Sequence, residues 1–261
     1  FLLKNQENLS CSCFCSFKDA ITDAIEMANN AYLRDGGLSG VSTGLTDLDR
    51  QMGGLQNSDL IILAGRPSMG KTAIATNIAF NIANAQHADQ QPDGSIKTTD
   101  GAVVAFFSLE MSAEQLATRI ISEQAEIPSE KIRRGMIDET DFRKLVETSQ
   151  KLSDMPLYID QTGGISIAQL SARARKLKRQ KNLGVVIVDY LQLLSGSKRT
   201  GEGRVQEVSE ITTGLKALAK ELNVPIIALS QLSRQVEQRD DEALVRLLEL
   251  VTMYADAIVL E

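Results

Sequence analysis

At 261 residues and 43% apolar composition the chain can bury a sizeable core, and its length suits one large domain or two small ones. With 28 basic against 34 acidic residues, a net charge of −6 excludes a global attraction to nucleic acid or to an anionic membrane, so any nucleic-acid contact must be a local patch. No apolar run approaches the about 18 residues of a membrane span, and Phe1 to Cys15 lacks the basic start and continuous apolar stretch of a signal peptide, so the chain reads as cytoplasmic with no membrane partner.

Residues 1–16 are expected to be a leader of unclear origin. They carry all 3 cysteines, Cys11, Cys13 and Cys15, whose one-residue spacers suit neither a zinc arm nor a disulfide framework. Phe17, Ile21, Ala24, Ile25, Ala28 and Tyr32 then recur at spacings of three and four, which predicts an amphipathic helix from Phe17 to Arg34 with Gly36-Gly37 as its stop. This helix and a hinge to residue 40 form a second expected unit, and residues 41–261 a third. The apolar stripe has two equal destinations, its own domain or another subunit. Thr43 to Leu55 reads as a turn-rich entry to the first strand.

The apolar run Leu60-Ile61-Ile62-Leu63-Ala64 leads into Gly65-Arg66-Pro67-Ser68-Met69-Gly70-Lys71-Thr72 and then into a helix from Ala73. Strand, glycine loop and helix in that order define a P-loop: backbone N–H groups surround the phosphates, and the helix N-terminus adds partial positive charge. Lys71 supplies an ammonium to the outer phosphates, and Thr72 offers a hydroxyl to Mg2+. A bound nucleotide, ATP or GTP, is therefore the firmest expectation. The only histidine, His87, falls in a polar tract read as a surface loop from Ala85 to Gly101, which leaves histidine-based catalysis little support.

Ala102 to Ser108 is a buried strand by apolarity and length, and Glu110 follows its carboxyl end, where open α/β sheets place ligands. Glu114 to Lys151 contains two or three helices, with a stripe at Leu116, Ile120 and Ile121, a turn at Ile127-Pro128 and another stripe at Phe142, Leu145, Val146 and Leu152, and Pro156 to Asp160 is a short strand. A helix marked by Ile167, Leu170, Ala174 and Leu177 carries Arg173, Arg175, Lys176, Lys178, Arg179 and Lys181 on its other face; such a run is ordinarily a solvated face, and less often a nucleic-acid patch. Val185-Val186-Ile187-Val188-Asp189 describes a buried parallel strand that presents a carboxylate for Mg2+ at its tip. After a loop with three cations from Ser195 to Arg204 come a helix to Leu222 and a strand from Val224 to Ser230, ending at Gln231, a neutral amide suited to sensing a γ-phosphate.

Alternation of strand and helix at this spacing predicts an α/β fold with a doubly wound, mostly parallel sheet and helices on both faces. An acid on the strand next to the P-loop strand, rather than just after the Asp189 position, fits a RecA-like P-loop NTPase. Five segments then resemble, in order, the C-terminal motor domain of the DnaB-type replicative DNA helicases: Ser42-Thr43-Gly44, the P-loop, Phe107-Ser108-Leu109-Glu110-Met111, Val188-Asp189-Tyr190-Leu191-Gln192-Leu193 and Leu229-Ser230-Gln231-Leu232-Ser233-Arg234.

The resemblance implies an ATP-dependent hexameric helicase that encircles single-stranded DNA, with primase and a helicase loader as further partners. It assigns Lys71 and Thr72 to phosphates and Mg2+, Glu110 to the attacking water, Asp189 to the metal and Gln231 to coupling the γ-phosphate to DNA-facing loops. The N-terminal helix resembles a linker helix that docks on the neighbouring subunit, and Ser195 to Arg204 a pore loop on the DNA backbone. Three departures stand out. Phe1 to Ser16 is unlike the family's linker; Asp240 to Tyr254 lacks the basic, glycine-containing second DNA loop; and the chain reaches Glu261 before the segment expected to donate an arginine finger, so weak hydrolysis is expected of it, with Arg204 and Arg234 as the nearest substitutes. A RecA/RadA-type recombinase and an ATP-gated DNA-binding scaffold are the competing readings.

Overall fold

The computed structural model describes residues 16–33, 38–90, 96–195, 204–231 and 256–260. The chain divides into two units, 1–39 and 40–261. The first contains α1 (Phe17–Leu33), with Asp19 and the Ser16 hydroxyl paired at its start. Its stripe residues Phe17, Ile21 and Ile25 are exposed.

The second unit is built on a six-stranded sheet. In chain order its strands are β1 (Leu60–Gly65), β4 (Val103–Ser108), β5 (Leu157–Asp160), β6 (Leu183–Asp189), β7 (Ile226–Gln231) and β8 (Asp256–Leu260). They lie in the order β5-β4-β6-β7-β1-β8, and every pairing is parallel. Parallel strands need crossovers, and the helices supplying them cover both faces. Alternation along β1 shows the division. Leu60, Ile62 and Ala64 face one core with α7 (Ile167–Lys181) and α8 (Arg204–Leu222), whereas Ile61 and Leu63 face the other with α3 (Lys71–Asn84) and Leu116 of α4 (Ala113–Gln124). With both faces covered, the central strands read as continuous apolar runs, which is why they were legible in the sequence.

Three expectations need correction. The strand that leads to Glu110 is not beside the P-loop strand: β6 and β7 lie between β4 and β1, because strands that come later in the chain fill the gap left by the first crossover. The tract from Ala85 to Gly101 is not simply a loop, since β2 (His87–Gln90) and β3 (Ile96–Asp100) pair antiparallel as a separate two-stranded sheet. The entry before β1 contains a helix, α2 (Thr46–Met52), with acidic Asp47 and Asp49 in its first turn and a left-handed Gly53 at its end. Between β4 and β5, α5 (Ser129–Arg134) and α6 (Glu139–Leu152) follow α4, giving the three helices allowed for. The cysteines, Gly36-Gly37, the loop 196–203, Arg234 and the stretch 240–254 lie outside the described residues.

Candidate nucleotide site

The carboxyl ends of β4, β6, β7 and β1 gather the candidate residues. The loop 66–70 joins β1 to α3, with Ser68 and Gly70 both left-handed, at φ of 66° and 85°. A Cβ on Gly70 would meet nothing within 4 Å, so the glycine answers a backbone requirement rather than a lack of room. The loop stands open: Arg66, Ser68, Met69 and Gly70 are exposed, and Pro67 is half-buried.

Behind it Lys71 is buried, and its ammonium donates to the carbonyls of Gly65 at 2.8 Å and Arg66 at 2.7 Å. Burial lowers its pKa, while the charges of Asp189 and Glu110 pull it back up. The cation is thus held against the loop's own carbonyls, an arrangement an entering phosphate can replace.

Asp189 ends β6 and is almost fully buried. Burial raises its pKa; the Thr72 hydroxyl donates to the carboxylate and opposes that rise, Glu110 adds to it, and Lys71 and Arg119 oppose it. One oxygen, Oδ2, is buried with no hydrogen-bond partner. An orphaned carboxylate oxygen beside a threonine hydroxyl is the donor set of a hard cation such as Mg2+, which takes oxygen ligands and completes its shell from water and phosphate. Among the described residues no three His, Cys, Asp or Glu are grouped for a metal, so the chain offers this donor pair and no all-protein cage.

Glu110 is exposed, in the bend after β4. Its approach to Asp189 follows from register: Ser108 pairs with Asp189, and the Leu109 N–H donates to the Asp189 carbonyl at 2.8 Å. The bend is held at both ends, by the Ser108 hydroxyl on the Met111 carbonyl at 2.7 Å and by a capping box in which Ser112 and Gln115 start α4. Gln231 arrives from the other side, paired with Gly65 across β7 and β1.

The structure therefore brings Lys71, Thr72, Glu110 and Asp189 within electrostatic reach of one another, with Gln231 at the tip of β7. It does not bring the basic face of α7 into that group. Arg173 pairs with Asp160 at the end of β5, Arg175 forms a two-pronged pair with Glu221 at 2.7 Å on each prong, and Lys178 donates to the Leu183 carbonyl at 2.9 Å. Half of that run thus has a structural partner.

Two features had no sequence-level reading. Arg119, on α4, adds its charge at Asp189; the signal available was an arginine within the apolar pattern of Leu116 and Ile120. Asp49 is buried and accepts from the Thr43 N–H and hydroxyl, both at 2.8 Å, and from the Ser42 hydroxyl at 2.7 Å, while Asn81 of α3 donates to the Thr43 carbonyl at 3.1 Å. This network fastens the segment before β1 to the helix that follows the P-loop. Gly44 completes it, since a Cβ there would lie 2.4 Å from Asn81 Nδ2.

An all-parallel sheet with a P-loop after β1 and an acidic residue at the tip of β6 defines a RecA-like P-loop NTPase. The comparisons with known proteins narrow this. The model of the DnaB-like helicase C terminal domain matches residues 40–247, and the chain belongs to that family. The replicative DNA helicase DnaB of Rickettsia prowazekii (strain Madrid E) is 48% identical over 238 residues, 91% of this chain and 48% of the relative. That of Geobacillus stearothermophilus is 47% identical over 232 residues, 88% and 47%. The chain spans about half the length of the curated relatives it matches.

Among solved structures, the ATPase domain of G40P aligns with a TM-score of 0.79 at 33% identity, covering 95% of this chain and 84% of that one. A DnaB-like replicative helicase, studied for its interactions with primase, aligns with a TM-score of 0.70 at 35% identity, covering 88% and 51%. These matches favour the helicase reading over the recombinase. Among the described residues no helix is long and apolar enough to cross a membrane.

Proposed function

We propose that the chain is the ATP-hydrolysing motor domain of a hexameric replicative DNA helicase, one that translocates on single-stranded DNA and unwinds the duplex. The observation that carries this reading is the buried, unpartnered Oδ2 of Asp189 beside the Thr72 hydroxyl and the Lys71 ammonium, at the carboxyl edge of a parallel sheet. Thr72 and Asp189 would hold Mg2+, which when bound neutralises charge on the nucleotide phosphates. The backbone N–H groups of the loop from Gly65 to Gly70, Pro67 excepted, would surround those phosphates, and Lys71 would exchange its two loop carbonyls for them. Glu110 is exposed to the solvent that supplies the attacking water and accepts its proton. Gln231, beside the start of the P-loop, reads the γ-phosphate.

The partners follow from the family. Single-stranded DNA meets the loop after the 3₁₀ turn Leu191–Leu193, and the exposed stripe of α1 docks on a neighbouring copy. Primase joins the assembly as in the solved relative, together with a loader, in the cytoplasm.

The test is the rate of ATP hydrolysis with and without single-stranded DNA, across protein concentration, for the parent and for Glu110→Gln. The parent rate should rise with both DNA and concentration. The amide keeps the shape of Glu110 but cannot take a proton, so nucleotide binding should survive while hydrolysis falls about 10²-fold or more. A parent rate indifferent to DNA and concentration would remove the motor reading, and near-normal hydrolysis by the variant would move the base elsewhere.

A further inference from the structure

Strands β6 and β7 separate before β7 ends. Their pairing runs from Val186 with Ile226 to Val188 with Ala228. Beyond that point β6 stops at Asp189 and the chain enters the 3₁₀ turn, whereas β7 continues through Leu229 and Ser230 to Gln231, held on its other side by Ala64 and Gly65 of β1. One side chain reaches across the opening. Gln192 donates from Nε2 to the Ser230 hydroxyl and to the Gln231 carbonyl, both at 3.0 Å, and its Oε1 accepts from the Gln231 N–H at 3.3 Å.

A glutamine amide carries the same donor and acceptor as a peptide unit. Gln192 therefore takes the place of the missing β6 residue and bonds both backbone polar groups of Gln231. A leucine here would leave the half-buried N–H and carbonyl of Gln231 without these bonds, and a shorter asparagine has one methylene less with which to span the gap. The turn that carries Gln192 is itself anchored. Leu191 and Leu194 are buried, and Ser195 donates from its N–H to the Ile165 carbonyl at 3.1 Å and from its hydroxyl to the Gly164 carbonyl at 3.2 Å. A rigid turn bonded to a strand tip at three points moves with that tip or resists it; it cannot ignore it.

We infer that Gln192 is a positioning residue that ties the tip of β7 to the turn after β6, so that a displacement of Gln231 by nucleotide is passed to the segment beginning at Ser195. This deepens the proposed function and rests on it at one point, the reading of Gln231 as the γ-phosphate sensor. The bonds described here run from Gln192 to the Gln231 backbone and the Ser230 hydroxyl, so it acts through the sensor.

The experiment is amide hydrogen exchange on the full chain, with and without ATPγS–Mg2+, followed separately over residues 226–231 and 191–204, together with ATP hydrolysis with and without oligo(dT). Gln192→Leu keeps the volume and removes donor and acceptor; Gln192→Glu keeps the acceptor for the Gln231 N–H and loses both donors. In the parent, nucleotide should slow exchange in both segments. In Gln192→Leu the response at 226–231 should persist and nucleotide affinity should stay within about twofold, as expected of a group off the ligand. The response at 191–204 and the stimulation by oligo(dT) should each fall about fivefold or more, the lower end of ordinary coupling between sites. Gln192→Glu should fall between.

Full retention of the 191–204 response in both variants would overturn the inference. So would loss of both responses in step with nucleotide affinity and melting temperature, which would make Gln192 a structural clamp only. A parent that binds nucleotide with no response at 226–231 would instead remove the sensor reading, and the inference with it.

Discussion

Helices α3 and α6 are both 14 residues long, and they sit in this unit in opposite ways. α3 buries seven side chains, among them Lys71 and Thr76, against the sheet. α6 buries none, and its apolar stripe remains at the surface with Phe142 58% exposed and Val146 39% exposed, while Met136 in the preceding loop is 65% exposed. Ordinary partition puts charge outside and large apolar groups inside, so the informative residues are those that break the rule. Around α3 the breach is polar: a buried ammonium and, two strands away from its loop, a buried carboxylate with an unpartnered oxygen. Around α6 it is apolar. The first kind of breach costs stability and is kept by a ligand; the second leaves surface suited to a partner.

The widest gap between the two helices should appear on nucleotide binding. Lys71→Ala removes the cation that, alone among the described residues, is buried behind the P-loop. Charge-assisted hydrogen bonds contribute about 1.5–3 kcal/mol each, so losing two should weaken ATP–Mg2+ binding by roughly 10²-fold or more. Titration with a fluorescent ATP analogue measures this, and an unchanged affinity would remove the P-loop assignment. No single change on the exposed face of α6 should approach that effect.

A core substitution in α3 supplies the scale for stability. Ile82 is fully buried between helix and sheet, and its carbonyl accepts from the Ala102 N–H at 3.1 Å. Ile82→Ala should cost about 2–5 kcal/mol, read from the urea midpoint at constant slope. A loss below about 1 kcal/mol would mean that the site collapses around the smaller side chain.

Much of this contrast was legible before the structure. The P-loop could be read because a continuous apolar strand, a glycine loop and a helix start coincide within Leu60 to Thr72, and α6 could be read as a helix because Phe142, Leu145 and Val146 recur at helical spacing, although that spacing does not show that its apolar face stays exposed. What could not be read had no local signal. The β2–β3 hairpin has the polar sequences His87 to Gln90 and Ile96 to Asp100, so no alternation of apolar and polar residues marks it. The separation of β4 from β1 was settled by the insertion of β6 and β7, which begin more than seventy and over a hundred residues beyond β4, and sequence adjacency cannot show that. The Gln192 bonds lie in a motif that was legible, but they depend on where β6 and β7 diverge.

Asp189→Asn tests the polar breach directly, in the direction opposite to Ile82→Ala. The substitution keeps the shape and removes a buried charge with an unpartnered oxygen, so the ligand-free chain should become more stable. If about 1 kcal/mol is recovered, the melting temperature rises by about 2–4 °C. The pH dependence follows from the raised carboxyl. The folded chain holds this proton more tightly than the unfolded chain, so the deficit of the parent relative to Asp189→Asn is absent below the unfolded value of 3.8, grows as pH rises toward the folded value, and is complete above it. The same variant should lose the Mg2+ dependence of nucleotide binding. A parent and variant with equal melting temperatures at neutral pH would mean that Oδ2 is satisfied in solution.

The smallest expected effect on folding is the one that isolates the apolar breach. Phe142 is more exposed than buried, so its removal returns little surface to water, and Phe142→Ser should shift stability by no more than about 1 kcal/mol, as for a surface site. That near-neutrality is what separates it from Ile82, a residue of comparable apolar character on a helix of the same length. Under the proposed function this unit works as an oligomer, and Phe142 and Val146, one turn apart on α6, are exposed apolar side chains of the kind that favour contact with another chain. Phe142→Ser should therefore weaken self-association at equal concentration, seen as a lower mass by light scattering, while the urea midpoint stays put. A stability loss approaching that of Ile82→Ala would show that the stripe is covered within its own unit, and the contrast between α3 and α6 would then be one of degree. An unchanged midpoint with unchanged mass would leave α6 an exposed apolar helix with no role in assembly, and would place the association surface on α1.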